Sequence, residues 1–126
     1  MIYLLVRNYG VYDGHRSPDL IEDTEVDRGY YLTEEAAETA ADLLNHEVYD
    51  RRVRNIETSV AKAWSDYEKR VAQWELLNQH DLADKARPEE PATLLDMEIE
   101  PYATWLAGQD RWSDHAWYTV IAINPA

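Results

Sequence analysis

The sequence predicts an α+β fold: a small antiparallel sheet, in the order β-β-α-β-β, packed on one long helix or a helical hairpin. Three observations carry this. Residues 33–87 run for fifty-five positions without Gly or Pro and repeat their apolar residues at helical spacing. Both ends of the chain are instead short apolar or alternating runs bounded by turn formers. Strands gathered from the two ends, with helix between them, favour an antiparallel sheet carrying helix on one face.

Residues 2–9 read as a strand that is mostly buried on both faces, and Gly10, Gly14 and Pro18 then mark a loop. A second strand is expected over about 25–32, with Val26, Tyr30 and Leu32 on one face and Tyr31 on the other. Between the two lies an acidic run, Asp19, Glu22, Asp23, Glu25 and Asp27, which reads as a solvated loop.

Thr33 is a good helix N-cap, and Glu34 and Glu35 suit the positive end of the helix dipole. Ala36, Ala37, Ala40, Leu43 and Leu44 form a small-residue face able to lie close on a sheet. Beyond it Val53, Ile56, Val60, Ala63, Tyr67 and Trp74 approach a heptad seam, widened by Trp64 and Val71. One rod over 33–87 would measure roughly 80 Å at about 1.5 Å per residue, long for a domain of this size. The helix therefore folds back as a hairpin near Asn55 or projects from the sheet over 56–87. Arg51, Arg52 and Arg54 suit a helix end and Asn55, Thr58 and Ser59 a new start, but the seam crosses this stretch in phase, which favours continuity.

The helix is expected to end at Arg87-Pro88-Glu89-Glu90-Pro91. Leu95, Met97 and Ile99 then alternate with Asp96, Glu98 and Glu100 in the pattern of a half-buried strand. Residues 102–114 form a Trp-containing connection with room for one short helical turn. Residues 115–123 give the clearest strand, apolar enough for the centre of the sheet. At 126 residues the chain is expected to be a single domain, 1–126, with 56–87 as a helical elaboration.

The opening strand, the turn-rich loop and Gly29-Tyr30-Tyr31-Leu32-Thr33-Glu34-Glu35-Ala36-Ala37 leading into Leu43-Leu44-Asn45 resemble small uncharacterised accessory proteins of bacteriophages. In those a hairpin precedes a Thr-capped helix and the chain closes on a Trp- or Tyr-containing strand. The resemblance covers residues 1–45 and 115–123. It implies a fold and a phage origin and transfers no catalytic residue.

Charge narrows the function more than any motif. Twenty-five acids against twelve Lys and Arg give a net −13. The charge is concentrated at the sheet-forming ends: residues 88–126 hold seven acids and one base, whereas 33–87 hold twelve acids and eight bases. A surface of this sign repels the phosphate backbone, so direct nucleic-acid binding is disfavoured and a basic protein partner is favoured. The plainer reading of the same charge is solubility. The absence of Cys removes disulfides and thiolate metal sites. No segment approaches a membrane span, and the opening lacks the charged start of a signal peptide, so a cytoplasmic protein without membrane contact is expected.

No Gly-rich phosphate loop, nucleophile elbow or metal motif is present, and neither a catalytic residue, a metal nor a cofactor is expected. Asp42, His46 and Asp50 share one helical ridge at i, i+4 and i+8; surface pairing explains them better than a metal. His80 with Asp84 repeats the geometry, and His15 and His115 have no partner by spacing. Two acidic groups suit a binding role. Asp96, Glu98 and Glu100 on one strand face would repeat at about 6.6–6.8 Å, comparable to nucleic-acid phosphates. Glu89 and Glu90 lie close in sequence, and the run Asp19, Glu22, Asp23, Glu25 and Asp27 adds to them.

The expected function is that of an acidic, non-enzymatic binding protein that occupies a basic surface of a host protein, as phage-encoded inhibitors and DNA mimics do. A homodimer through the long helix is expected as well, because the projecting seam Val53, Ile56, Val60, Tyr67, Val71 and Trp74 needs a second helix to cover it. One alternative function is an assembly protein that self-associates this way. Another is a small enzyme with a pocket lined by Tyr30, Tyr49, Trp64 or Trp117.

Overall fold

The computed structural model describes residues 1–12, 14, 18–82 and 86–124. Its elements are strand β1 (Ile2–Val11), strand β2 (Asp19–Thr24), a 3-10 turn (Val26–Arg28), helix α1 (Glu34–Gln79), helix α2 (Tyr102–Ala107) and strand β3 (Trp117–Ile123). The class is α+β, as the sequence predicts. The three strands form an antiparallel sheet in the order β2-β1-β3. Two compact units divide the chain, residues 1–51 with 100–126 and residues 52–99, and the boundary falls inside α1.

In the first unit β1 holds the centre of the sheet. Its apolar run is buried on both faces, with Leu4, Leu5 and Val6 forming the core and Asn8 buried among them. Asn8 keeps its amide satisfied by donating to the Thr119 hydroxyl at 3.0 Å and the Trp117 carbonyl at 3.3 Å. Gly10 is required by packing, since a Cβ there would run into the Arg111 carbonyl. The 102–117 stretch adds Trp105 and Trp117 to the core, and α1 adds Ala37 and Ala41.

Three expectations about strands are corrected. The second strand occupies Asp19–Thr24 rather than 25–32, so most of the acidic run is sheet edge instead of loop. The chain turns over Val26–Arg28, stops at Gly29 with φ 80°, and returns to the sheet where Tyr31 bridges Tyr3. Residues 95–100 form no strand. Thr93 and Asp96 bond reciprocally, the Thr93 N–H to Asp96 Oδ2 at 2.9 Å and the Asp96 N–H to Thr93 Oγ1 at 3.3 Å. These local bonds close a turn in place of a ladder, and Glu98 follows at φ 48°. The third correction is to β3, which lies at an edge and not at the centre.

Helix α1 begins as the sequence predicts: the Ala36 N–H donates to Thr33 Oγ1 at 3.2 Å. It then runs 46 residues without a break near Asn55, so the hairpin does not form. It ends eight residues before Arg87. Asp81 takes the left-handed conformation at φ 54°, the Leu82 N–H returns to the Leu77 carbonyl at 2.9 Å, and the Asp81 N–H bonds the Asn78 carbonyl at 3.1 Å. That is a Schellman cap made with Asp instead of the usual Gly.

In the second unit the chain after α1 lies back against the helix. The Trp64 indole N–H donates to the Ala92 carbonyl at 3.0 Å, and Trp64 meets Tyr67 edge-on at 5.5 Å. Tyr67 is buried, while Val53, Ile56, Val60, Val71 and Trp74 are half-buried. The seam therefore has intrachain cover at Tyr67, which the sequence reading did not anticipate.

Candidate partner-binding surface

The acidic run is built by pairing β2 on β1. The register sets Asp23 opposite Arg7 and Glu22 opposite Asn8. Asp19, Glu22, Asp23 and Asp27 are exposed and Glu25 is half-buried. Asp23 accepts the Tyr9 hydroxyl at 2.7 Å, and that bond is the main reason the Tyr9 phenol is raised above its ordinary pKa. Arg7 lies over the Tyr9 ring at 4.5 Å. Among the described residues no Lys or Arg nitrogen comes within 4.0 Å of a carboxylate; the basic side chain that does so is His46, beside Asp42. Among the described residues the carboxylates of this surface thus have no Lys or Arg counterion at contact distance.

The second acidic group is more dispersed. Glu89, Glu90, Asp96 and Glu98 belong to the second unit and Glu100 to the first, and all are exposed. Without a strand at 95–100, the regular carboxylate repeat predicted there is lost. Asp96 is held below the ordinary carboxylate range by its bonds from the Thr93 N–H and hydroxyl.

Helix α1 supplies a ridge that the sequence reading credited only in part. The Asp42 carboxylate lies 3.5 Å from His46 Nε2 and accepts the Tyr102 hydroxyl at 2.7 Å. Tyr102 stacks on His46 with ring centroids 3.6 Å apart and meets Tyr49 edge-on. Burial, and then the bond to Asp42, pushes the Tyr102 phenol far above its ordinary range. The Tyr49 hydroxyl donates to the Glu100 carbonyl at 2.7 Å. Asp42 and His46 pair along the helix surface as the sequence predicts, and Tyr102, a partner that spacing alone could not find, fastens α2 to α1. Among the described residues no group of three His, Asp or Glu side chains could hold a metal ion. His15 and Asp84, and so the His80–Asp84 pairing, lie outside the described residues.

Of the four aromatics expected to line an enzyme pocket, Tyr30 is exposed, Trp117 is core, Tyr49 donates to the Glu100 carbonyl and Trp64 to the Ala92 carbonyl. No described helix is long and apolar enough to cross a membrane. No known protein family, curated protein or solved structure matches this chain, so the resemblance to phage accessory proteins gains no support.

Proposed function

We propose that this protein is a non-catalytic binding protein whose acidic face holds a basic surface of a partner protein, of the kind that contacts nucleic acid. The observation that carries it is the β2 edge and its continuation: five carboxylates within nine residues, none countered at contact distance by a Lys or Arg among the described residues. Such a face steers and retains a cationic partner, with an attraction that fades as salt shortens the Debye length from about 10 Å at 0.1 M. An inhibitor that competes with nucleic acid for its partner is the form this function takes. Immobilised protein should recover basic, nucleic-acid-binding proteins at low salt and release them at high salt. Recovery of none at any salt ends the reading.

A second reading, self-association, is favoured by the apolar surface of the second unit. Leu76, Leu77, Leu94, Leu95 and Met97 are all exposed, Leu95 at 87%. Sedimentation of the wild type as a dimer, and of Ile56→Asp with Val60→Asp as a folded monomer, would establish it. A wild-type monomer at high concentration would end it.

A further inference from the structure

We infer that the outer edge of β3 is a docking edge for a basic, extended segment of a partner protein, which adds as a strand beside Val120 and Ala122. This rests on the acidic binding reading above and gives it a second, directional contact.

The edge follows from the register. On the β2 side of β1, Leu5 accepts from the Glu25 N–H just past β2 and Tyr3 exchanges bonds with Tyr31, so the alternate residues Leu4, Val6 and Asn8 face β3, opposite Ile121, Thr119 and Trp117. Tyr118, Val120 and Ala122 therefore turn their N–H and C=O groups outward. Tyr118 is already satisfied: its N–H donates to Asn45 Oδ1 at 2.7 Å and its carbonyl accepts from Asn45 Nδ2 at 3.0 Å. Asn45 is 3% exposed and imitates a strand residue at this one position. Val120 and Ala122 have no such partner among the described residues. Each offers one donor and one acceptor.

Edges are ordinarily guarded by charge, proline or a bulge. β2 has its acids, but β3, Trp-Tyr-Thr-Val-Ile-Ala-Ile, carries no charged residue and no proline. Beside it runs an open groove of about 310 Å³, lined by Val120, Asn45 and Leu106 and walled by Glu34, Glu38 and Asp42. These three acids stand at i, i+4 and i+8 of α1, on one ridge. A strand entering here gains main-chain bonds from β3 and meets carboxylates with its side chains. Asn45 blocks the far end and so fixes where pairing can start. A second copy of this chain is the wrong occupant, because it would bring a further net −13 to an acidic groove.

The test is a backbone-amide NMR titration of the whole protein with a short blocked peptide alternating Lys and Val. The same peptide, N-methylated at alternate residues, is the control. The unmodified peptide should shift Val120 and Ala122 and slow their hydrogen exchange, and the N-methylated one should bind at least roughly tenfold more weakly, the cost of about 1.4 kcal/mol. Glu34→Gln with Glu38→Gln, both exposed, should weaken binding roughly two- to tenfold at low salt, as for two partly screened charges. If both peptides bind alike and shift residues 19–27 instead, the edge is overturned and the acidic reading survives. If neither binds, both fail. An unchanged affinity in the double variant overturns the role of the α1 ridge.

Discussion

The two compact units are held by different means. In the first, Leu4, Leu5, Val6, Ala37, Ala41, Trp105 and Trp117 are buried together; the buried Asn8 donates across to β3, and the buried Asn45 both donates to and accepts from Tyr118. In the second, Tyr67 is the one described residue that reaches that degree of burial, and the Trp64 indole bond to the Ala92 carbonyl holds the returning chain. One helix passes through both. The contrast teaches that an unbroken α-helix need not be uniformly stable, since tertiary packing rather than propensity supplies most of its stability.

The strongest blow to the contrast is at Leu5, 1% exposed in the central strand. Leu5→Ala should cost about 2–5 kcal/mol, read as a lower denaturation midpoint of the whole first unit. Asn45→Ala comes next. It strands the Tyr118 N–H and carbonyl at a half-buried position and should cost about 1–3 kcal/mol for the two bonds, while Asn45→Asp should restore only the acceptor. Amide exchange at Tyr118 checks this. Trp64→Phe removes one hydrogen bond and should cost about 0.5–1.5 kcal/mol, confined to exchange within 52–99. Loss of protection across the sheet in that variant would break the contrast.

The smallest effect is a pH slope. Tyr102 is raised above the ordinary phenol value of 10.0 by burial and by Asp42. The unfolded phenol ionises first, so above about pH 10 the unfolded state holds fewer protons and stability falls as pH rises. Below that pH the contribution is fully present. Tyr102→Phe should flatten this alkaline limb, measured by denaturation across the range.

Much of this architecture is legible from the chain itself. The Thr33 cap, the helical period through Ile56 to Val60 and the apolar runs of β1 and β3 each rest on local pattern, and each forms. What the pattern missed depends on contacts distant in sequence or on one local competition. The Schellman cap at Asp81 uses a residue that carries no helix-stop signal comparable to Gly. The alternation of 95–100 is strand-like, but Thr93 and Asp96 bond each other first. The placement of β2 over the acidic run follows from its pairing with β1, where Ile21 is set opposite Tyr9. The α2 cluster on Asp42 and the Asn45–Tyr118 pairing join residues 60 and 73 positions apart, which no spacing rule reaches. The acidic surface was visible as composition, and its freedom from internal ion pairs only as geometry.

The direct test of the binding account sets the acids of the two units against each other. One variant neutralises Asp19, Glu22, Asp23, Glu25 and Asp27 to their amides, and the other neutralises Glu89, Glu90, Asp96 and Glu98. Capture of basic proteins at low salt is measured for each beside the wild type. The account predicts that capture is lost in the first variant and largely kept in the second, with both folded by circular dichroism. Equal capture by the first variant and the wild type would contradict it.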